Sequence, residues 1–256
     1  MCYDLEARPP LPPVQGTAAS SGDLELVSAD GTRFAAFAAR AGTPSGAGIV
    51  ILPDVRGLHQ FYKDLAVRFA EAGVDAVAMD YFGRTAGISP RDDSFDHMAH
   101  VVQTQPASIA ADVAACVVYL RSDAGGAPHA IFTVGFCFGG ANSWMQAANG
   151  HGLSAAIGFY GRPMASRDGS PSVADRAGAF KCPILGLFGG ADQSIPQSDV
   201  QQFEEVLTRV GVAHELHTYP GAPHSFFDKR SADFAAASTD AWSRMLGFIA
   251  ANTPAA

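Results

Sequence analysis

Residues 134–140 read Val-Gly-Phe-Cys-Phe-Gly-Gly, which sets a thiol, Cys137, two residues from a glycine on either side. The apolar run 130–134 precedes it and a helix-like stretch, 141–149, follows. Strand, tight turn and helix with a nucleophile at the tip make a nucleophile elbow. The demand is steric. A side chain at the tip of so sharp a turn needs small neighbours; Gly135 and Gly139 meet that need, and Gly140 lets the helix approach the sheet. At a helix start the thiol lies near free N–H groups and the positive dipole end, which favour its thiolate. Taken alone, the motif reads equally as a glycine-rich turn around a buried, inert cysteine. The rest of the chain must decide.

A nucleophile of this kind needs an acid and a histidine downstream, each on a loop after a strand, in the order nucleophile, acid, histidine. The strand-like run 183–188 ends in Gly189-Gly190-Ala191-Asp192, so Asp192 stands on a strand-end loop. A second strand-like segment, 214–219, leads into Pro220-Gly221-Ala222-Pro223-His224-Ser225-Phe226. His224 therefore stands on a turn-rich loop before a final helix. Cys137, Asp192 and His224 are the expected catalytic residues, with the backbone N–H of Phe138 as one donor to an oxyanion.

These three motifs, with Ile49-Val50-Ile51-Leu52-Pro53-Asp54-Val55-Arg56-Gly57, resemble the dienelactone hydrolase family, the cysteine branch of the α/β-hydrolases, in the family's own order. The resemblance spans roughly residues 23–249. It implies an α/β-hydrolase fold, ester or lactone hydrolysis without a cofactor, and Val55 as the second oxyanion donor through its N–H. It also implies that Asp54, where the family commonly has glutamate, pairs with the thiol in the resting enzyme; aspartate is one methylene shorter. Family members that act on dienelactone hold its carboxylate with two arginines. One lies four residues after the catalytic histidine, where this chain has Asp228. The other lies after a strand preceding the elbow, a position that Arg84 matches. A negative charge at Asp228 would repel a carboxylate, and Lys229 lacks arginine's bidentate geometry. Substrates without a free carboxylate are therefore expected, with Arg56 and Arg162 as other sources of positive charge. Two further functions remain open: a thioesterase or acyl-transfer enzyme on the same triad, and a non-catalytic scaffold that binds a small molecule.

The elements needed to position such a site are all present as patterns. The 256 residues, 48% hydrophobic, suffice for a sizeable single-domain core. Residues 1–21, with Pro9-Pro10-Leu11-Pro12-Pro13, read as an extended tail, and 22–256 as the domain. Asp30-Gly31 signals the turn of an N-terminal antiparallel hairpin. Strands are expected at 49–52, 74–79, 131–134 and 154–159, and helices at 61–72, 108–121, 199–210 and 233–250. This alternation predicts an α/β fold with a mostly parallel sheet flanked by helices on both faces.

Composition narrows the partners. A net charge of −8 without a basic face argues against nucleic acid. Nothing approaches 18 consecutive apolar residues, so no membrane span is expected. Residues 1–15 lack the apolar stretch of a secretory signal. Four cysteines without a Cys-x-x-Cys spacing fit a reducing cytoplasm, Cys116 being a core residue. His97 and His100 have a metal-like spacing but no further ligand cluster, so no metal is expected. The expected partner is a small-molecule ester or lactone; the oligomeric state is not read from sequence. His59 has two readings, pocket wall or polar surface. Arg84 also has two, substrate contact or scaffold ion pair. Tyr160, at a strand end, is a further pocket candidate, and Arg162 a weaker one.

Overall fold

The computed structural model describes residues 9, 16–92, 94–165, 169–228 and 230–255. Eight strands form one sheet: β1 (Ala18–Val27), β2 (Arg33–Ala41), β3 (Ala47–Leu52), β4 (Asp75–Met79), β5 (Ala130–Phe136), β6 (Ala155–Phe159), β7 (Ile184–Gly189) and β8 (His214–Tyr219). Their spatial order is β1-β2-β4-β3-β5-β6-β7-β8. β1 and β2 pair antiparallel, as do β2 and β4, and every later pairing is parallel. Among the described residues eight α-helices accompany it: α1 (Gln60–Glu71), α2 (Gly83–Ala86), α3 (His97–Val101), α4 (Pro106–Arg121), α5 (Phe138–Gln146), α6 (Val173–Arg176), α7 (Gln197–Val210) and α8 (Ala235–Ala251). The expected α/β-hydrolase architecture is the one found.

All six residues of β3 are buried, as a strand covered on both faces requires. Its alternation assigns the two layers. Ile49 and Ile51 join the cluster that holds Phe61, Leu65 and Phe69 of α1, whereas Val50 and Leu52 join Val113, Val117 and Leu120 of α4. The ring of Phe69 meets Trp242 of α8 at 5.1 Å, so α1 and α8 share one layer. The indole of Trp144 in α5 meets Phe203 of α7 at 5.4 Å, and α5 also lies against α4. Each α1 residue named recurs at helical spacing, and burying such a side chain contributes about 1.5–3 kcal/mol.

The first strand begins earlier than the sequence suggests. Ala18 already pairs with Ala41, so residues 18–21, read as tail, belong to the sheet edge. Ladder hydrogen bonds need no particular side chain, and the small polar residues there gave no strand pattern. The polyproline reading of 10–13 lies outside the described residues. Ser28 and Thr32 close the hairpin loop, with Gly31 at φ 83°, the left-handed conformation glycine adopts freely. Among the described residues no helix is long and apolar enough to cross a membrane.

Candidate active site

Cys137 follows β5 directly and precedes α5, at φ 55° and ψ −113°. A non-glycine residue at such a φ is strained by about 1–3 kcal/mol, and the surroundings hold it there. Its N–H donates to the Phe159 carbonyl at 3.0 Å, and its carbonyl accepts from Gly140 N–H at 3.0 Å. The neighbouring glycines leave no room for a side chain. A Cβ on Gly135 would collide with the Gly139 backbone, one on Gly139 with the carbonyls of Leu52 and Pro53, and one on Gly140 with the Phe159 carbonyl. The elbow inferred from spacing is thus a steric fact of this fold.

Asp192 stands on the loop after β7 and His224 on the loop after β8. His224 Nδ1 and Asp192 Oδ2 are 2.6 Å apart. The other carboxylate oxygen of Asp192 accepts from Ser194 twice, from its hydroxyl at 2.6 Å and its N–H at 2.9 Å. Burial pulls the His224 pKa down, but hydrogen bonds to Asp192 and to the Cys137 thiol outweigh it and push the imidazole up to about 10. Burial acts to raise the Asp192 pKa, yet the bonds from His224 and Ser194 bring it below the usual value. The structure therefore brings Cys137, His224 and Asp192 into one chain of hydrogen bonds. With Nδ1 facing the carboxylate, the other ring nitrogen is the one left for the thiol.

The loop 53–59 carries Asp54, Val55, Arg56 and His59. Asp54 is wholly buried, and its Oδ1 accepts from Arg56 N–H at 2.9 Å, bracing the turn that presents Val55. The Tyr62 hydroxyl oxygen accepts from Asp54 N–H at 3.0 Å, and the Tyr81 hydroxyl donates to the Pro53 carbonyl at 2.7 Å. Burial pushes the Tyr81 hydroxyl well up, so it remains a donor. Asp80, at the end of β4, accepts from Leu58 N–H at 3.1 Å and from Phe82 N–H at 2.9 Å. Arg91 pairs with Asp80 at 2.8 Å, both side chains being almost fully buried, and also donates to the Gly87 and Ser89 carbonyls. Removing one member of a buried pair leaves the other charge uncompensated. Arg91→Ala should therefore lower unfolding stability by about 3–5 kcal/mol, read by urea denaturation. A change below about 1 kcal/mol would show that water replaces the guanidinium without loss.

A cavity of about 500 Å³ opens at Cys137. Val55, Phe138, Tyr160, Arg162 and His224 line it, with Pro106, Ile109, Met145 and Val173 supplying an apolar wall. Ser194 also reaches it and was missed in the sequence, although Asp192-Gln193-Ser194 is a turn in which the aspartate accepts from the residue two further on. Arg56 is buried and does not line this cavity; His59 lines a separate cleft of about 980 Å³ on the far side of the loop. Arg84 is not in the cavity either. Its guanidinium bonds Asp112 at 2.6 Å and Asp30 at 2.9 Å, fastening the hairpin turn to α4. The scaffold reading of Arg84 is the one the structure supports. Asp228 also departs from expectation: it is wholly buried, accepts from the Tyr160 hydroxyl at 2.8 Å, and forms no part of the cavity wall. Among the described residues no group of three His, Cys, Asp or Glu gathers as a metal site.

A mostly parallel sheet with Cys137 on a strand-to-helix elbow after β5, and Asp192 and His224 on the loops after β7 and β8, is the arrangement of an α/β-hydrolase. Residues 34–253 match the dienelactone hydrolase family, and the chain belongs to that family. It is 33% identical over 202 residues to the "Putative carboxymethylenebutenolidase" of Escherichia coli strain K12, covering 77% of this chain and 74% of that protein. With the protein of the same description from Salmonella typhimurium strain LT2 it shares 30% identity over 238 residues, 91% of this chain and 88% of the relative. Among solved structures, a "Putative Dienelactone Hydrolase" from Klebsiella pneumoniae superposes with a TM-score of 0.78 at 27% identity, covering 90% of this chain and 99% of the other.

Proposed function

We propose that this protein hydrolyses esters or lactones through a covalent thioester on Cys137, with His224 and Asp192 completing the triad. The observation that carries this reading is the strained thiol at the cavity floor, hydrogen-bonded to an imidazole that Asp192 holds at 2.6 Å. In the resting site His224 keeps the thiol's proton, leaving a thiolate. Its sulfur attacks the substrate carbonyl carbon, and the carbonyl's π electrons move onto oxygen, which the N–H groups of Val55 and Phe138 receive. Collapse of this oxyanion breaks the C–O bond, and the departing alkoxide takes the proton from His224. Neutral His224 then removes a proton from water as it attacks the thioester, and the thiolate leaves. Asp192 fixes the ring and offsets its charge in each half-reaction.

Iodoacetamide should label one equivalent of thiol at Cys137, and turnover of p-nitrophenyl acetate should fall in proportion to labelling. Full labelling with turnover intact would sink the assignment.

The cavity also bears on substrate. Its walls are mainly apolar, and Arg162, exposed at the rim, is the only arginine or lysine among the described residues lining it. With Arg84 engaged elsewhere and His224 paired with Asp192, no buried arginine or lysine among the described lining residues is left to pair a substrate carboxylate, and desolvating it would oppose binding. A neutral lactone or methyl ester should exceed the carboxylate-bearing analogue of equal size in kcat/KM by about tenfold or more, a difference of about 1.4 kcal/mol. Preference for the carboxylate form would refute this and point to Arg162 as the anchor.

A further inference from the structure

The hydroxyl of Tyr160 and the carboxylate of Asp228 form a hydrogen bond at 2.8 Å, and both residues are wholly buried. They come from different loops, and only Tyr160 lines the cavity. Tyr160 directly follows β6, whereas Asp228 lies four residues beyond His224 in the same turn. Tyr160 has φ 37°, a conformation that a bulky residue keeps only where its surroundings over-determine it. Three contacts do so. Its N–H donates to the Leu187 carbonyl at 2.8 Å, its hydroxyl is taken by Asp228, and the next residue, Gly161, is pressed onto the first turn of α5. A Cβ on Gly161 would come within 2.5 Å of Ala141 N and 2.7 Å of the Gly140 carbonyl carbon. The Tyr160 ring meanwhile faces the His224 imidazole, centroid to centroid 5.0 Å. Burial and the neighbouring carboxylate push the tyrosine hydroxyl well above its usual range, so it stays a donor.

We propose that Asp228 is a positioning residue: through Tyr160 it latches the histidine turn to the elbow and sets the alignment of the His224 imidazole with the Cys137 thiol. Asp228 reaches no substrate. The latch rests on the reading that Cys137 and His224 act as a pair, and it acts through one hydrogen bond rather than through charge. Loss of that bond lets the two loops drift, and small misplacements of reacting groups lower the rate of the step they perform.

The test uses the full chain with two readouts, kcat and KM on p-nitrophenyl acetate and the rate of Cys137 alkylation by iodoacetamide at neutral pH. Tyr160→Phe keeps the ring and loses the hydroxyl; Asp228→Ala loses the acceptor. Each should lower kcat and the alkylation rate about tenfold, with KM changed less than twofold. Asp228→Asn still offers an amide oxygen to the hydroxyl and should stay within about threefold of wild type. The double variant should fall no further than the worse single, as for partners in one interaction. A purely structural role would lower melting temperature without this split between kcat and KM, and that result would overturn the latch. So would wild-type kinetics in Tyr160→Phe, a double variant losing the product of the singles, or Asp228→Asn falling as far as Asp228→Ala. Absence of ester turnover in the wild type would sink the proposed function instead, and the order of alkylation rates would still read the latch.

Discussion

Replacing Cys137 with alanine should reduce turnover of an activated aryl ester by at least about 10⁴-fold, while the chain melts cooperatively near the wild-type temperature. The thiol lines the cavity and is only half-buried, packed against the core rather than inside it, so its loss leaves no large packing defect. The proposed oxyanion donors are main-chain groups that the change leaves in place, so some acceleration over water should persist. Cys137→Ser should retain a trace of activity, because a hydroxyl is far harder to deprotonate than a thiol. Stopped-flow or plate-reader kinetics with circular dichroism of the same samples check both parts. Near wild-type turnover in the alanine variant would place the nucleophile elsewhere.

His224→Ala should lower kcat by about 10³-fold or more and Asp192→Ala by less, and the double variant should resemble His224→Ala. The asymmetry follows from the proposed roles: His224 would carry the proton, and Asp192 would serve the chemistry through His224. Proton linkage gives an independent readout. The imidazole, raised to about 10, stays charged from acid up to that pH and is lost above it. Alkylation of wild-type Cys137 should therefore vary little across neutral pH. In His224→Ala the thiol loses its proton acceptor, so alkylation should be slower at neutral pH and climb with pH. A double variant that lost the product of the single losses would show that the two residues do not serve one imidazole. Asp192 also holds Ser194, so Asp192→Ala should unsettle its own loop; unchanged kcat with lowered stability would reduce it to a loop cap.

The residues of the proposed triad could be read from sequence because local rules place them. Glycine sterics mark Cys137, and strand-end loops mark Asp192 and His224. What could not be read depends on partners distant in sequence or on the direction of a turn. Arg84 had two readings, and its partners Asp30 and Asp112, 54 and 28 residues away, settle it. Asp228 was expected in the pocket, yet the turn that begins with Ser225 at φ 60° directs it to Tyr160 behind the wall. Nothing in His-Ser-Phe-Phe-Asp announces that reversal. Ile109 carried a helical core pattern with Val113 and Val117, and it also lines the cavity because α4 starts at the mouth. The short helix α6 carries a local sign in the sequence, the capping box of Ser172 and Asp175.

The conformation of Cys137 also bears on how this site can decay. Its positive φ is imposed by the turn, so every residue with a Cβ at position 137 bears the same backbone penalty, whatever its chemistry. Glycine alone escapes it. A change to glycine at this position therefore runs downhill in backbone free energy, and it should make a more stable protein without the thiol. If Cys137 is the nucleophile proposed above, selection for turnover must act against that slope.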